Sequence, residues 1–264
     1  MIRASLSFPS VALLRPVHVE AALPHGICEA PRPWRSLWAL HCALSDASLF
    51  FEDLGAGALV DELGFALIAP SLGNGFFLNT PGEAQADFLD EIFHALAEIL
   101  PLSPEGRAVA GVSMGAFGAL RWALASGHFT SAALISGMYF ADLAPDGRYA
   151  RNHGQRALYR AFRDAMRRAL LDGAGKPRPG ADPARLLEDA AGHLPALHIF
   201  CGEEDWLALP QSLALERLCA AYGASATLTL SPGGHDRAYW RGAFKAACEA
   251  IFSGGEGPCP RSSM

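Results

Sequence analysis

The segment RAVAGVSMGAFGALRWAL, residues 107–124, limits what this chain can fold into more than any other. The small and β-branched run Ala108–Val112 passes without a break into Gly111-Val112-Ser113-Met114-Gly115. A helical pattern of Ala116, Phe117, Ala119, Leu120, Trp122 and Leu124 follows at once. The spacing predicts a strand, a tight turn and a helix, with Ser113 at the apex of the turn. A strand that turns straight into a helix brings backbone against backbone, and Gly111 and Gly115 remove the side chains that would collide there. G-x-S-x-G in this setting is the pattern of an exposed serine nucleophile, so Ser113 is the predicted nucleophile.

The rest of the chain repeats the alternation. Short apolar runs at Val17–Ala21, Leu37–His41, Phe65–Ala69, Ala132–Ser136, Leu197–Cys201 and Thr227–Leu230 read as strands. Glu83–Leu100, Ser212–Tyr222 and Arg241–Phe252 carry helical periodicity. Strands buried on both faces and separated by helices predict an α/β fold with a mostly parallel sheet and helices on both faces. The first run precedes any helix, so the N-terminal strands are expected to be antiparallel. Residues 1–252 are expected to form one domain, interrupted by an insertion at 139–195. The Gly/Pro/Ser-rich residues 253–264 read as a flexible tail.

A serine hydroxyl needs a base, and the base needs an orienting acid. In this fold they follow the serine in the order acid, then histidine. The run Leu197–Cys201 leads into Gly202-Glu203-Glu204-Asp205, which puts Asp205 just past a strand end, with Glu203 and Glu204 as competitors. After the next strand comes Ser231-Pro232-Gly233-Gly234-His235, a histidine in a glycine-rich loop, so His235 is the predicted base. Two backbone N–H groups should bind the oxyanion. One is that of Met114, after the nucleophile; the other lies in the loop past Leu37–His41, where Ala43 is the candidate and Leu44 the alternative. His41 is read as shaping that loop.

Charge and cysteine content narrow the partners. With 21 basic and 27 acidic residues the net charge is 21 − 27 = −6, which gives no basic excess for nucleic acid. The charge is uneven: residues 1–137 hold 6 basic and 13 acidic groups, residues 138–200 hold 10 and 7. Arg156, Arg160, Arg163 and Arg167 recur at helical spacing beside an apolar face of Leu158, Phe162, Ala165, Met166, Ala169 and Leu170. That pattern reads as a cap helix lying apolar side down. The sharper alternative is that these arginines, or Arg148 and Arg151 nearer the pocket mouth, meet an anionic substrate. The six cysteines show no CxxC or Cys/His cluster, so no structural metal is expected, and Cys201, Cys219 and Cys248 read as reduced core thiols. The N-terminus lacks the apolar core and cleavage site of a signal peptide, and no stretch approaches a membrane span. A cytoplasmic location is the expectation.

With these segments in order, the chain resembles the esterase D-like branch of the α/β-hydrolases, nearest its bacterial tributyrin-esterase-like members. The resemblance covers roughly residues 10–138 and 195–252 and rests on LWALHCALSD, IAPSLGNGFFLNTP, AGVSMGAFGAL, CGEEDWL and SPGGHDRAYW. It implies an α/β-hydrolase fold and a serine carboxylesterase acting on short acyl esters without a cofactor, with Ser113, Asp205 and His235 at the triad positions. It also implies that Asn74, Gly75, Phe76 and Phe77 lie beside the acyl pocket, which Leu44 would border. Two positions depart from the family pattern: Cys42 replaces the glycine after the strand-end histidine, and Arg237 replaces an aromatic after His-Asp. An acyltransferase, an S-formylglutathione-hydrolase-like thioesterase and a non-catalytic protein of the same fold are the alternatives. The oligomeric state is not legible.

Overall fold

The computed structural model describes residues 1–26, 33–141, 143 and 153–253. Eight strands form one sheet in the order β1-β2-β4-β3-β7-β8-β9-β10. These are β1 (Ile2–Ser10), β2 (Arg15–Leu23), β3 (Trp34–Leu40), β4 (Ala66–Pro70), β7 (Leu102–Val112), β8 (Ser131–Ile135), β9 (Ala196–Gly202) and β10 (Ala226–Ser231). The pairs β1/β2 and β2/β4 are antiparallel and all others parallel. β5 (Asn79–Thr80) and β6 (Glu83–Ala84) form a separate two-residue ribbon.

Period-two alternation sorts the sheet side chains between two apolar layers. In β3, Trp38 and Leu40 face α2 (Gln85–Ile99) and α3 (Met114–Ser126), whereas Leu37 and Ala39 face α1 (Ala56–Leu63) and α7 (Arg237–Phe252). The first layer is knit by Trp38, Phe93 and Trp122. The second has Phe50 against Phe244, and Phe65 stacked on Phe252 at 4.3 Å. Arg35, on β3, joins two helix ends by donating 2.7 Å hydrogen bonds to Leu63 O and Phe252 O.

The expected α/β architecture with antiparallel N-terminal strands is the one observed. Strand β1 is an addition, because Ile2–Ser10 is mostly exposed and gives no apolar run. Helix α1 was masked in the sequence by its brevity and by the bracketing Gly55 and Gly64. Glu83 and Ala84, read as helix, belong to the small ribbon, and α2 begins at Gln85.

Between β8 and β9 lie α4 (His153–Leu170) and α5 (Pro183–Asp189). Helix α4 buries Met166 and Leu170, with Phe162 and Ala169 packed on the same cluster. Arg156, Arg160 and Arg167 are exposed, and Arg163 pairs with Asp164. Arg148, Arg151, the Leu158 side chain, Cys28, Cys259 and residues 254–264 of the expected tail lie outside the described residues. Cys42, Cys201, Cys219 and Cys248 are buried free thiols. No helix among the described residues is long and apolar enough to cross a membrane.

Candidate active site

A parallel sheet collects its strand-to-helix loops at the carboxyl ends of the strands, and that is where the predicted residues meet. Strand β7 ends at Val112, and Ser113 follows at φ 54°, ψ −111°. Such backbone costs a non-glycine residue about 1–3 kcal/mol and persists only where its surroundings dictate it. They do so here through bare backbone. A Cβ on Gly111 would stand 2.0 Å from Gly115 O, and one on Gly115 would stand 2.0 Å from Leu40 O. The Ser113 N–H is also fixed, donating to Ile135 O of β8 at 2.8 Å.

From this turn a hydrogen-bonded line crosses the sheet end. Ser113 Oγ lies 3.0 Å from His235 Nε2. His235 Nδ1 lies 2.9 Å from Asp205 Oδ2 and 3.2 Å from Oδ1. The Asp205 carboxylate is fully buried and also accepts from the N–H groups of Leu207 and Ala208. That arrangement selects the imidazole tautomer with its proton on Nδ1 and leaves Nε2 free to accept from the serine. The His235 and Trp240 rings meet in a T-shaped contact with centroids 5.0 Å apart.

The two competing carboxylates have other places. Glu203 is exposed, while Glu204 Oε2 accepts from Gly233 N at 2.6 Å and so anchors the histidine loop. The same loop presses its Gly233 carbonyl against Gly202, where a Cβ would come within 2.1 Å. Asp236 caps α7 by accepting from Tyr239 N. Arg237, one of the two departures from the family pattern, reaches outward to Asp53.

Of the predicted oxyanion donors, Met114 directly follows Ser113, and the loop that carries Ala43 leaves β3 where Gly115 lies against Leu40 O and His41 O. Met114 is the first residue of α3, so its N–H belongs to the helix start that has no intrahelical acceptor. In the loop after β3, Leu44 stands at φ 60° and donates its N–H to Asn74 Oδ1 at 2.8 Å. That bond separates the two candidates, because it occupies Leu44 and leaves Ala43 as the donor to consider. His41 is fully buried. Its Nδ1 donates to Cys42 O at 2.8 Å, and its Nε2 accepts from Leu72 N at 3.0 Å. Burial holds its pKa below the ordinary histidine value, so it is a neutral strut between the loops after β3 and β4. The Cys42 side chain turns away into the layer of α1 and α7.

Phe76 and Phe77 both adopt left-handed backbone and are buried, Phe76 against Phe117 and Phe77 against His41. Asn74 and the Leu44 side chain are exposed and Gly75 is half-buried. Leu44, Phe76, Phe77, Ser113 and Ser136 all take positive φ in loops at this one end of the sheet. Sequence reasoning missed what holds them. Gln85, the first residue of α2, is fully buried; its Oε1 accepts from Phe77 N and its Nε2 donates to Gly73 O. Gln211, in the first turn of α6 (Leu209–Ala221), accepts from Tyr139 N at 2.9 Å and Phe140 N at 2.7 Å, and donates to Phe140 O at 3.1 Å. Each clasps a loop that flanks the serine, and neither has a sequence signal beyond glutamine in a helical first turn. No group of three or more His, Cys, Asp or Glu residues placed to hold a metal ion occurs among the described residues.

The model of the family described as "Putative esterase" matches residues 83–251. Among solved structures, the fold is similar to the fluorophosphonate-binding serine hydrolase FphF of Staphylococcus aureus, with a TM-score of 0.79 and 24% identity over 95% of this chain and 98% of that one. It is also similar to the S-formylglutathione hydrolase FrmB of Staphylococcus aureus, with a TM-score of 0.75 and 23% identity over 95% and 98% of the two chains. An esterase of Pyrobaculum calidifontis superposes with a TM-score of 0.73 at 15% identity, over 96% of this chain and 85% of that one. No curated protein matches the sequence.

Proposed function

The chain belongs to the "Putative esterase" family of ester-hydrolysing enzymes, and on that premise we propose that it is a serine carboxylesterase that cleaves short-chain acyl esters through an acyl-enzyme on Ser113. The single observation that carries the reading is the continuous line from Ser113 Oγ through His235 to the buried Asp205 carboxylate, with steps of 3.0 Å and 2.9 Å. Nothing in folding asks for a serine at φ 54° to be bonded to a histidine from a loop 122 residues away.

Ser113 Oγ attacks the ester carbonyl carbon as its proton passes to His235 Nε2, giving a tetrahedral oxyanion. The N–H groups of Met114 and Ala43 bind that oxyanion, and each such donor is worth about 3–4 kcal/mol of transition-state stabilisation. Asp205 stabilises the imidazolium without taking its proton. The C–O bond to the alcohol breaks as His235 returns the proton to the leaving oxygen, and the acyl group stays on Ser113. Water then attacks with its proton again going to His235, and the carboxylic acid leaves as Oγ is reprotonated. The exposed Leu44 and the loop carrying Asn74, Gly75, Phe76 and Phe77 would border the acyl group. No cofactor takes part in these steps.

A thioester substrate such as S-formylglutathione is the second reading, favoured by the likeness to FrmB over nearly the whole chain. The same two half-reactions apply, with a thiolate as leaving group.

The test is hydrolysis of p-nitrophenyl esters from acetate to decanoate, together with S-formylglutathione. Wild type is set beside Ser113→Ala, and a phosphonate label is located by mass spectrometry. The expected result is a rate that peaks at short acyl chains and falls about five to six orders of magnitude in the variant, with the label on Ser113. A higher kcat/KM for S-formylglutathione than for every oxygen ester would select the second reading. A label elsewhere, or hydrolysis that survives Ser113→Ala, would overturn both.

A further inference from the structure

The amide of Gln85 is fully buried and fully engaged, but not by its own helix. Gln85 opens α2, where Asn79 Oδ1 already caps the helix start by accepting from Ala86 N at 3.0 Å and Asp87 N at 3.2 Å. The Gln85 side chain turns back into residues 73–77 instead. Its Oε1 accepts from Phe77 N at 2.9 Å, and its Nε2 donates to Gly73 O at 3.3 Å and to Glu83 Oε2 at 2.7 Å. Glu83 Oε1 in turn accepts from Arg15 Nη2, at the start of β2, at 2.6 Å. With its oxygen and both hydrogens used, the amide has one orientation. Bare main chain completes the seat: a Cβ on Gly75 would stand 2.7 Å from the Gln85 amide carbon.

The loop held in this way is strained. Phe76 and Phe77, at φ 57° and 55°, are two bulky residues in succession in a conformation that persists only where the surroundings impose it. Gln85 grips the Phe77 main chain, and the Phe77 ring lies against bare Gly118 of α3, where a Cβ would come within 2.5 Å of it. In so buried a place no water can stand in for a lost bond. Between the gripped residues Gly73 and Phe77 stands Asn74, exposed, whose Oδ1 accepts from Leu44 N at 2.8 Å. Gln211 grips main chain in the same manner, but that of the loop after β8, where no oxyanion donor is proposed.

We propose that Gln85 is a positioning residue for the oxyanion loop: its amide sets residues 73–77, Asn74 carries that setting to Leu44 N, and Leu44 fixes the neighbouring Ala43 N–H. Other bonds tie the two loops independently of Gln85, since His41 Nε2 accepts from Leu72 N and Ser71 Oγ accepts from Ala47 N at 3.1 Å. Gln85 therefore governs where the middle of the oxyanion loop sits and not whether that loop forms. The part given to Ala43 rests on the esterase reading, whereas the link from Gln85 to Leu44 does not.

The experiment compares wild type, Gln85→Met, Asn74→Ala and the double variant. Exchange of the Leu44 amide proton is followed by NMR, and kcat and KM are measured on p-nitrophenyl butyrate. Methionine keeps the length of glutamine and removes its hydrogen bonds. Leu44 exchange is expected to quicken about tenfold in Gln85→Met, and kcat to fall roughly three- to tenfold with KM little changed. Because the two residues act in series, adding Gln85→Met to Asn74→Ala should change neither readout further. Losses that multiply in the double variant would overturn the proposal, as would unchanged Leu44 exchange in Gln85→Met; a residue that only stabilises the fold gives those results. Where Gln85→Met fails to fold, Gly75→Ala disturbs the same seat from the loop side, and unchanged Leu44 exchange there would overturn it equally. A wild type that hydrolyses no ester while Leu44 exchange still answers to Gln85 would refute the esterase reading and leave the link standing.

Discussion

Two loops stand side by side at the carboxyl end of the sheet, the Gly111–Gly115 turn and the His41–Asp46 loop, and they are held by opposite means. The first is fixed by missing side chains, with Gly115 seated against the carbonyl of Leu40. The second is fixed by side-chain hydrogen bonds: its own His41 accepts from Leu72 N, and Asn74, from the loop after β4, takes the N–H of Leu44. A turn made by close backbone contact has no slack, since no rotamer can relieve an intruding methyl. A loop made by individual hydrogen bonds should lose function one bond at a time.

The largest effect is expected from Gly115→Ala. Its Cβ would fall on Leu40 O, and the loss should be about 3 kcal/mol or more, roughly 6–12 °C in Tm, with ester hydrolysis abolished. A folded, active Gly115→Ala protein would show that the turn has slack after all. Asn74→Ala is next. Freeing Leu44 N–H removes one hydrogen bond of about 1 kcal/mol, so kcat should fall five- to tenfold with KM and Tm little changed. A loss confined to KM would place Asn74 in substrate binding and not in the support of the loop.

His41 offers a pH test of the same loop. Its folded pKa lies below the ordinary value of 6.5, so the unfolded chain takes up a proton that the native state refuses. This contribution to stability is complete above pH 6.5 and is lost as pH falls from there toward the native pKa, by up to about 1.4 kcal/mol per pH unit. Thermal unfolding between pH 7.5 and 5 should therefore slope more steeply in wild type than in His41→Asn, and equal slopes would remove His41 from the account. The smallest effect belongs to Cys42→Gly, about 1 kcal/mol of stability and less than twofold in activity, because the thiol packs away from Ser113. An effect as large as that of Gly115→Ala would erase the distinction between the loops.

The same contrast explains what was legible in the sequence. Ser113 is announced locally, by a strand, two glycines and a helix within eighteen residues, and the sheet follows from apolar runs of ordinary strand length. Asp205 and His235 are legible because each sits just past such a run. The clasps of Gln85 and Gln211 are not, since each bonds backbone that only the finished fold brings near. The consecutive left-handed residues Phe76 and Phe77 also contradict local preference, and bulky side chains there gave no reason to expect them. Choosing between Ala43 and Leu44 required the position of Asn74, a residue thirty places away.

The contact of Gly115 with Leu40 O has a consequence for how such a protein can change over time. It sets the separation between the end of β3 and the start of α3, and so between the two peptide groups proposed to receive the oxyanion. That separation is gauged by two main-chain surfaces touching, without any side chain as a spacer. Core residues above and below can be exchanged for others of similar bulk while the gauge stays at its setting. What such a gauge asks of the chain is therefore short: the glycines that let the two main-chain surfaces touch.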